Sequence, residues 1–563
     1  MVLRKRDSEF RHLGVSYLEF KRVEMDRVLT GFLMRVNHNG QTSKMVRGSA
    51  LANEFVEEFL DERYAEKFQG FRDSPEVARR WIETQLLDMV NRGKPNQAVA
   101  GLRPLHGLTY KFRNHNHSRA YGADAQLYEM LRHARGGRGK LALEKIRAFF
   151  FTGLDPALGT QLPGSSVDIE TQAVLHLNSQ VKQDSPTSVK GWYSAPPLCA
   201  GQSDLLADDV LRLLSLQELL PRIVMVEYLK ILFAFHLALG QLKAMKLLPA
   251  VVERAGGEPT CGPDNCPAGT SGQNGLAKCP FRVGLVVDAA GVPGTPAAAL
   301  AEQSADFWLR RVPPFVRAGY VVRKLGEFAD HLVDRREITK PSRGFFSVAE
   351  LLRYAGESYR ERREQFFSAR MDMLLDETPV DEQPEGVRPL LGAGMGLSAF
   401  EQYIELLMAY RGKYHYDYIV ETIDSLLLKN RPGAVITQPH RGRRRFVMDS
   451  ALLEVLVQTA LLRPNPRGSR SRFLYHTEQL RLDEFMDTLR TRYGLHIDRL
   501  PDGDGFASHG FEEQAALRAN AEAFTARMRE IGFYNDLSDA YLTQVITPRF
   551  AISTDGTVTA GGR

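Results

Sequence analysis

The sequence predicts a mainly α-helical protein with small β elements, divided into several domains. Apolar residues recur at helical spacing, as in Phe55, Val56, Phe59 and Leu60, and again in Trp81, Leu86, Leu87 and Val90. Runs of β-branched residues are few and short. A length of 563 residues exceeds the size at which one hydrophobic core usually keeps growing. An apolar content of 43% with 25% charged residues supplies a real core and excludes a disordered or fibrous chain.

Residues 1–150 read as a helical domain whose last part carries two basic stretches, KFRNHNHSRAYG and RHARGGRGK, ahead of the apolar helix LALEKIRAFFF. Residues 151–375 read as a central helical domain. Its long apolar segment, residues 205–252, is expected to break or kink at Pro221, because proline lacks a backbone donor and clashes with the preceding turn. Within it, residues 223–239 are the most apolar, but Glu227, Lys230 and His236 interrupt them. A buried helix rather than a membrane span is expected. The first residues carry positive charge without the apolar core of a secretory signal, so a cytoplasmic location without membrane contact is expected.

Residues 255–278 change character, being rich in Gly, Pro, Asn and Thr and poor in large apolar side chains. The run RVGLVVDA at 282–289 is the best central strand candidate, and helices are expected from Pro296 to about Leu375. The acidic, proline-containing residues 376–386 read as a linker. Beyond it, residues 387–470 and 471–563 are read as two winged-helix-like modules. Ser398 and Glu401 have capping-box spacing, so a helix should begin at SAFEQYIELLMAY, with a second helix, YDYIVETIDSLLLKN, ending before Pro432. Short strands at 434–437 and 445–448, the helix DSALLEVLVQTALL, the strand FLYH, the helix LDEFMDTLRTRYG and the run LHIDRL complete the order. The absence of a fixed-period repeat excludes a solenoid.

Two constellations carry candidate chemistry. The four cysteines are Cys199, Cys261, Cys266 and Cys279. Zinc takes four soft or imidazole ligands in a tetrahedron, and such a site would order a segment that has little core of its own. A structural Zn site at these residues is expected, with His176 as the alternative to the distant Cys199. The second constellation is basic: Arg441, Arg443, Arg444, Arg445, Arg463, Arg467, Arg470 and Arg472 crowd one region, with Arg481, Arg490 and Arg492 beyond it. Guanidinium groups present a planar fork of donors to phosphate, so these residues are the candidate DNA-binding face, with an acidic partner protein as the competing reading. The whole-chain balance of 73 basic and 68 acidic residues carries no such message by itself.

Other motifs fail on their own terms. GGRGKL at 136–141 lacks the leading glycine and the Ser or Thr of a phosphate-binding loop, and GAGMGLS at 392–398 has Leu397 where a dinucleotide fingerprint needs glycine. His115, Asn116 and His117 read as a polar loop, Asp288 as a turn residue ending a strand, and Tyr414, His415, Tyr416 and Tyr418 as core and interface packing. No complete catalytic signature emerges.

The run REIGFYNDLSDAYLTQVITPRF at 529–550, following TLRTRYGLHIDRL, resembles the terminal module of proteins of bacterial anti-phage defence islands, nearest to a component of the methylation-associated defence system. That resemblance implies an accessory role in recognising or restricting foreign DNA, beside other subunits of the system. It transfers no catalytic residues. The resulting expectation is a non-enzymatic DNA-binding and scaffolding subunit whose partners are DNA and other defence subunits. The alternatives are a divergent metal-dependent nuclease using Asp288, or a protein-binding adaptor.

Overall fold

The computed structural model describes the chain except at residues 1–3, 46–51, 65, 67, 95–96, 179–185, 188–193, 255–260, 262–265, 267–277, 377–382, 385–386, 391–395, 428–434, 438–442, 467–470, 507–509, 535–544 and 561–563. It is mainly helical, with small β elements. The frame consists of α1 (Met25–Asn37), α2 (Ala123–Arg132), α3 (Ala200–Leu214), α4 (Arg222–Glu253), α5 (Val312–Asp334), α6 (Ala399–Leu426), α7 (Ser450–Ala460) and α8 (Phe511–Glu530).

Helix α4 is the axis of the molecule. Pro221 stands at its N-cap with φ −55° and separates it from α3, as its ring chemistry requires. With 32 residues it is about 48 Å long at 1.5 Å per residue. Among the described residues it is the one helix long and apolar enough to cross a membrane, yet 78% of its most apolar window is buried inside the protein. A helix that is apolar on every side has to be covered on every side. Helices α1, α2, α3, α5, α6 and α7 pack on it.

One hydrophobic cluster runs from Phe10 to Ile552 and draws on each of the segments outlined from the sequence, the linker excepted. The amino-terminal residues are stitched to the distant α6. The Tyr403 hydroxyl donates to Asp7 at 2.8 Å, the Phe10 ring lies 4.5 Å from the His415 ring, and the Val23 amide donates to Ser425 at 3.1 Å.

The β elements are small, and the described strands pair two by two. The predicted 282–289 strand is present as β1 (Leu285–Val286), parallel to β2 (Leu495–His496). Its backbone bonds on both sides: Leu285 and Val287 amides donate to Gly494 and His496 carbonyls, while the Asp288 amide donates to the Phe446 carbonyl at 2.8 Å. A short parallel ribbon therefore ties the centre of the chain to two separate stretches of its last third. Asn520 of α8 clamps it, accepting from the Ala289 amide and donating to the Val287 and Ile497 carbonyls at 2.8–2.9 Å.

Two local expectations differ from the structure. The helical reading through Val90 stops short: helix Pro75–Trp81 passes through a π-helical turn, Ile82–Leu86, into a strand, Leu87–Val90, paired with Ala98–Leu102. Asn91 at φ 53° and Gly93 at φ 76° supply the left-handed turn conformations that the hairpin needs. The two helices expected after Ser398 are one, α6, since Gly412 interrupts neither the hydrogen-bond ladder nor the packing. The capping box of Ser398 and Glu401 is present.

Candidate functional site

A heavily charged interior is built on α3. Its sequence, AGQSDLLADDVLRLL, places Asp204, Asp208 and Asp209 among leucines, so three carboxylates enter a buried helix and must find partners. Arg135 takes Asp204 through two side-chain bonds of 2.6 and 2.9 Å and a backbone bond of 2.7 Å. Asp208 receives Arg138 at 2.9 Å, Arg212 at 2.8 Å and Arg492 at 2.6 Å. Asp209 receives Arg492 at 3.1 Å and His236 of α4 at 2.9 Å, and the other ring nitrogen of His236 meets the Gln202 amide at 3.1 Å.

Burial alone raises the pKa of Asp208 and Asp209. The guanidinium groups of Arg492 and Arg212 outweigh it for Asp208, and Arg492 with His236 does so for Asp209, so both carboxylates lie below their ordinary values and stay ionised. Beside this network is a cleft of about 250 Å³ lined by Gln202, Lys243, Arg282, Arg490, His496 and Arg499 among others. Its cations face carboxylates of the same chain: Arg282 pairs with Asp502 at 2.6 Å, and Arg490 with Asp498 at 2.9 Å and with Asp487.

The loop between α2 and this network explains GGRGKL. Gly136 and Gly137 hold φ of 67° and 73°, and a Cβ on Gly139 would lie 1.8 Å from the Leu131 carbonyl oxygen. Gly136 and Gly137 supply the left-handed turn and Gly139 the close backbone approach, in the loop from which Arg138 reaches Asp208.

The cysteines converge beyond Lys243, which lines the cleft. Cys199 is the N-cap of α3, and Cys199, Leu247, Cys279 and Phe281 form a small buried cluster with Cys261 packed against it. Lys243 of α4 donates to the Cys279 sulfur at 3.0 Å. Cys261 and Cys266 share a hydrogen bond, and Arg135 also bonds to Cys266. Among the described residues no three His, Cys, Asp or Glu side chains are placed as a metal-holding group, so the thiols are neighbours here and not a closed ligand set. His176 is elsewhere, between the Phe59 and Phe68 rings at 5.6 and 5.3 Å, and does not stand in for Cys199.

The family model for methylation-associated defense system protein MAD7 matches residues 5–550, nearly the whole chain. The chain belongs to that family. No curated protein and no solved structure matches it.

In this MAD7-family chain the arginines read as a DNA face differ in their surroundings. Arg441, Arg467 and Arg470 lie outside the described residues. Arg445 is buried against Asp288 at 3.2 Å and donates to the Gly291 carbonyl, and Arg492 is buried in the α3 network. Arg444 pairs with Asp424 at 2.8 Å, Arg463 with Glu478 at 3.2 Å and Arg472 with Glu218 at 3.1 Å. Arg443 is exposed. Arg444, Arg445, Arg463 and Arg472 each meet an acid from another stretch of the chain, and spacing along the sequence says nothing about it. Asp288, the residue named for a nuclease, is fully buried with its carboxylate facing Arg445, which closes it to substrate. Sequence reading missed the α3 network altogether. Its signal was present in LLADDVLRLL, where paired acids sit in a leucine-rich helix.

Proposed function

We propose that the chain is a non-enzymatic scaffolding subunit of its methylation-associated defense system, presenting a rigid body to other subunits. The observation that supports this reading most is the internal use of the arginines: Arg445, Arg490 and Arg492 are spent on Asp288, Asp487, Asp498, Asp208 and Asp209 of the same chain. Cations held this way are not offered to a polyanion, and Arg445 and Arg492 join segments distant in sequence. The large core cluster that runs from Phe10 to Ile552 fits the same role.

DNA contact is the second reading, favoured by cations that remain at the surface. The side chains of Arg472 and Arg481 are 66% and 61% exposed, and their ion pairs with Glu218 and Asp483 are of the solvent-screened kind that phosphate can displace. A winged-helix-like arrangement of the segments after Gly386 belongs to this reading.

The test is a pull-down of the native protein from cells carrying the whole system, with nuclease and salt treatments in parallel. Scaffolding predicts that partner subunits stay bound after nuclease digestion and that purified protein retains little DNA. If the partners are lost on nuclease treatment, and the purified protein holds DNA with an affinity that falls steeply with salt and drops on charge reversal at Arg443, Arg472 and Arg481, the second reading replaces the first.

A further inference from the structure

The four thiols are drawn from three separate stretches of chain, yet they share one neighbourhood at the N-terminal end of α3. Two of them, Cys199 and Cys279, are buried, and Cys261 and Cys266 are half-buried. Sulfur donors in this number suit a soft, tetrahedral cation and suit hard cations such as Mg²⁺ poorly. Four thiolates around a dication leave two negative charges, and two cations already stand against the sulfurs. Lys243 donates to Cys279 at 3.0 Å, and Arg135 bonds to Cys266 while holding Asp204. Lys243 and Arg135 are the kind of outer partner that orients metal-bound thiolates.

We infer that Cys199, Cys261, Cys266 and Cys279 together bind one structural Zn²⁺, which ties Cys261 and Cys266 to the start of α3 and the middle of α4. Binding closes the four neighbouring sulfurs to about 2.3 Å from the metal and releases their thiol protons to solvent. The sequence around Cys261 and Cys266 brings almost no large apolar side chains, and metal–sulfur bonds contribute folding free energy of their own. Its position beside the cleft places it at the joint between α3, α4 and the 279–288 stretch that leads into the ribbon.

The full-length chain, purified without a metal-affinity step, is assayed for zinc by elemental analysis and for its ligand shell by X-ray absorption. About one zinc per chain with four sulfur neighbours near 2.3 Å is expected. A chain without zinc after growth and refolding in zinc-supplemented medium overturns the inference, as does a nitrogen and oxygen shell, which marks adventitious metal. Iodoacetamide labelling of the same wild-type protein is expected to spare the thiols until a chelator is added. Equal labelling before and after chelation of zinc-loaded protein counts against the site. Cys261→Ser combined with Cys266→Ser is expected to abolish zinc retention, and full retention refutes the assignment. Should that variant fail to fold, the wild-type absorption spectrum still decides. Lys243→Met is expected to keep the sulfur shell while losing zinc to a chelator about tenfold more readily.

Discussion

The guanidinium of Arg492 donates to the Asp208 carboxylate at 2.6 Å across 284 positions of sequence. Arg492 belongs to the π-helical turn Leu489–Tyr493, which leads through Gly494 into β2, so this one ion pair locks the last third of the chain onto the helix that precedes α4. Both charges are buried, and neither can be left alone without a large cost. Arg492→Met should therefore destabilise the protein by about 3–5 kcal/mol. Arg472→Met, which frees only an exposed partner, should cost less than about 1 kcal/mol. Chemical denaturation of the two variants beside the parent checks this, and equal effects would contradict the assignment of Arg492.

Acid should weaken the fold in two stages. Burial pushes His12, His415 and His496 down to about 4, below the ordinary 6.5. His415 is faced by the Ser8 carbonyl, Glu9, Arg411 and Arg11, and its net shift is still downward. A folded value below the unfolded one means that the unfolded chain binds more protons between the two, so stability is intact above 6.5 and declines as pH falls towards 4. Asp208 and Asp209 are depressed as well, and their contribution is lost below their ordinary value of 3.8. The denaturation midpoint should drop steadily from pH 7 to pH 4.5, and His415→Gln should flatten part of that slope. A midpoint that is constant over the range would show that these histidines are not held neutral by the fold.

Asn520 makes three hydrogen bonds to the backbone of the ribbon from a buried position. Asn520→Leu keeps the volume and leaves one amide and two carbonyls without partners, so a loss of at least about 2 kcal/mol is expected. Amide hydrogen exchange at Ala289 should rise together with the loss of stability. Unchanged protection there would mean that the clamp is dispensable.

Gly139 has no room for a methyl group, since its Cβ would overlap the Leu131 carbonyl oxygen. Gly139→Ala should cost more than about 3 kcal/mol, because the atom that must give way is backbone. Gly136→Ala, where a Cβ meets open space, should carry only the strain of its positive φ, about 1 kcal/mol. Thermal melts that ranked the two variants in the reverse order would remove the packing explanation of GGRGKL.

Much of the architecture was legible from local chemistry. The break at Pro221, the capping box of Ser398 and Glu401 and the strand before Asp288 depend on neighbours within a few residues, where periodicity and backbone constraint act, and the burial of α4 was legible from its apolar composition. The hairpin after Trp81 was missed because Leu86, Leu87 and Val90 satisfy helical spacing, and the turn at Asn91 to Gly93 overrode it.

What the sequence determined by itself was the helical class, the helix starts marked by Pro221 and Ser398, and the residue types gathered at each place, arginines and cysteines included. What only the tertiary structure decided was which charge meets which. A carboxylate on α3 and a guanidinium near residue 492 become partners when α3, α4 and the ribbon pack together, and that depends on long-range burial of apolar faces. The same long-range packing brings Cys199 beside Cys261 and Cys279 and sets the buried Arg445 and Arg492 against carboxylates, because an unpaired charge in a closed core is too costly to persist.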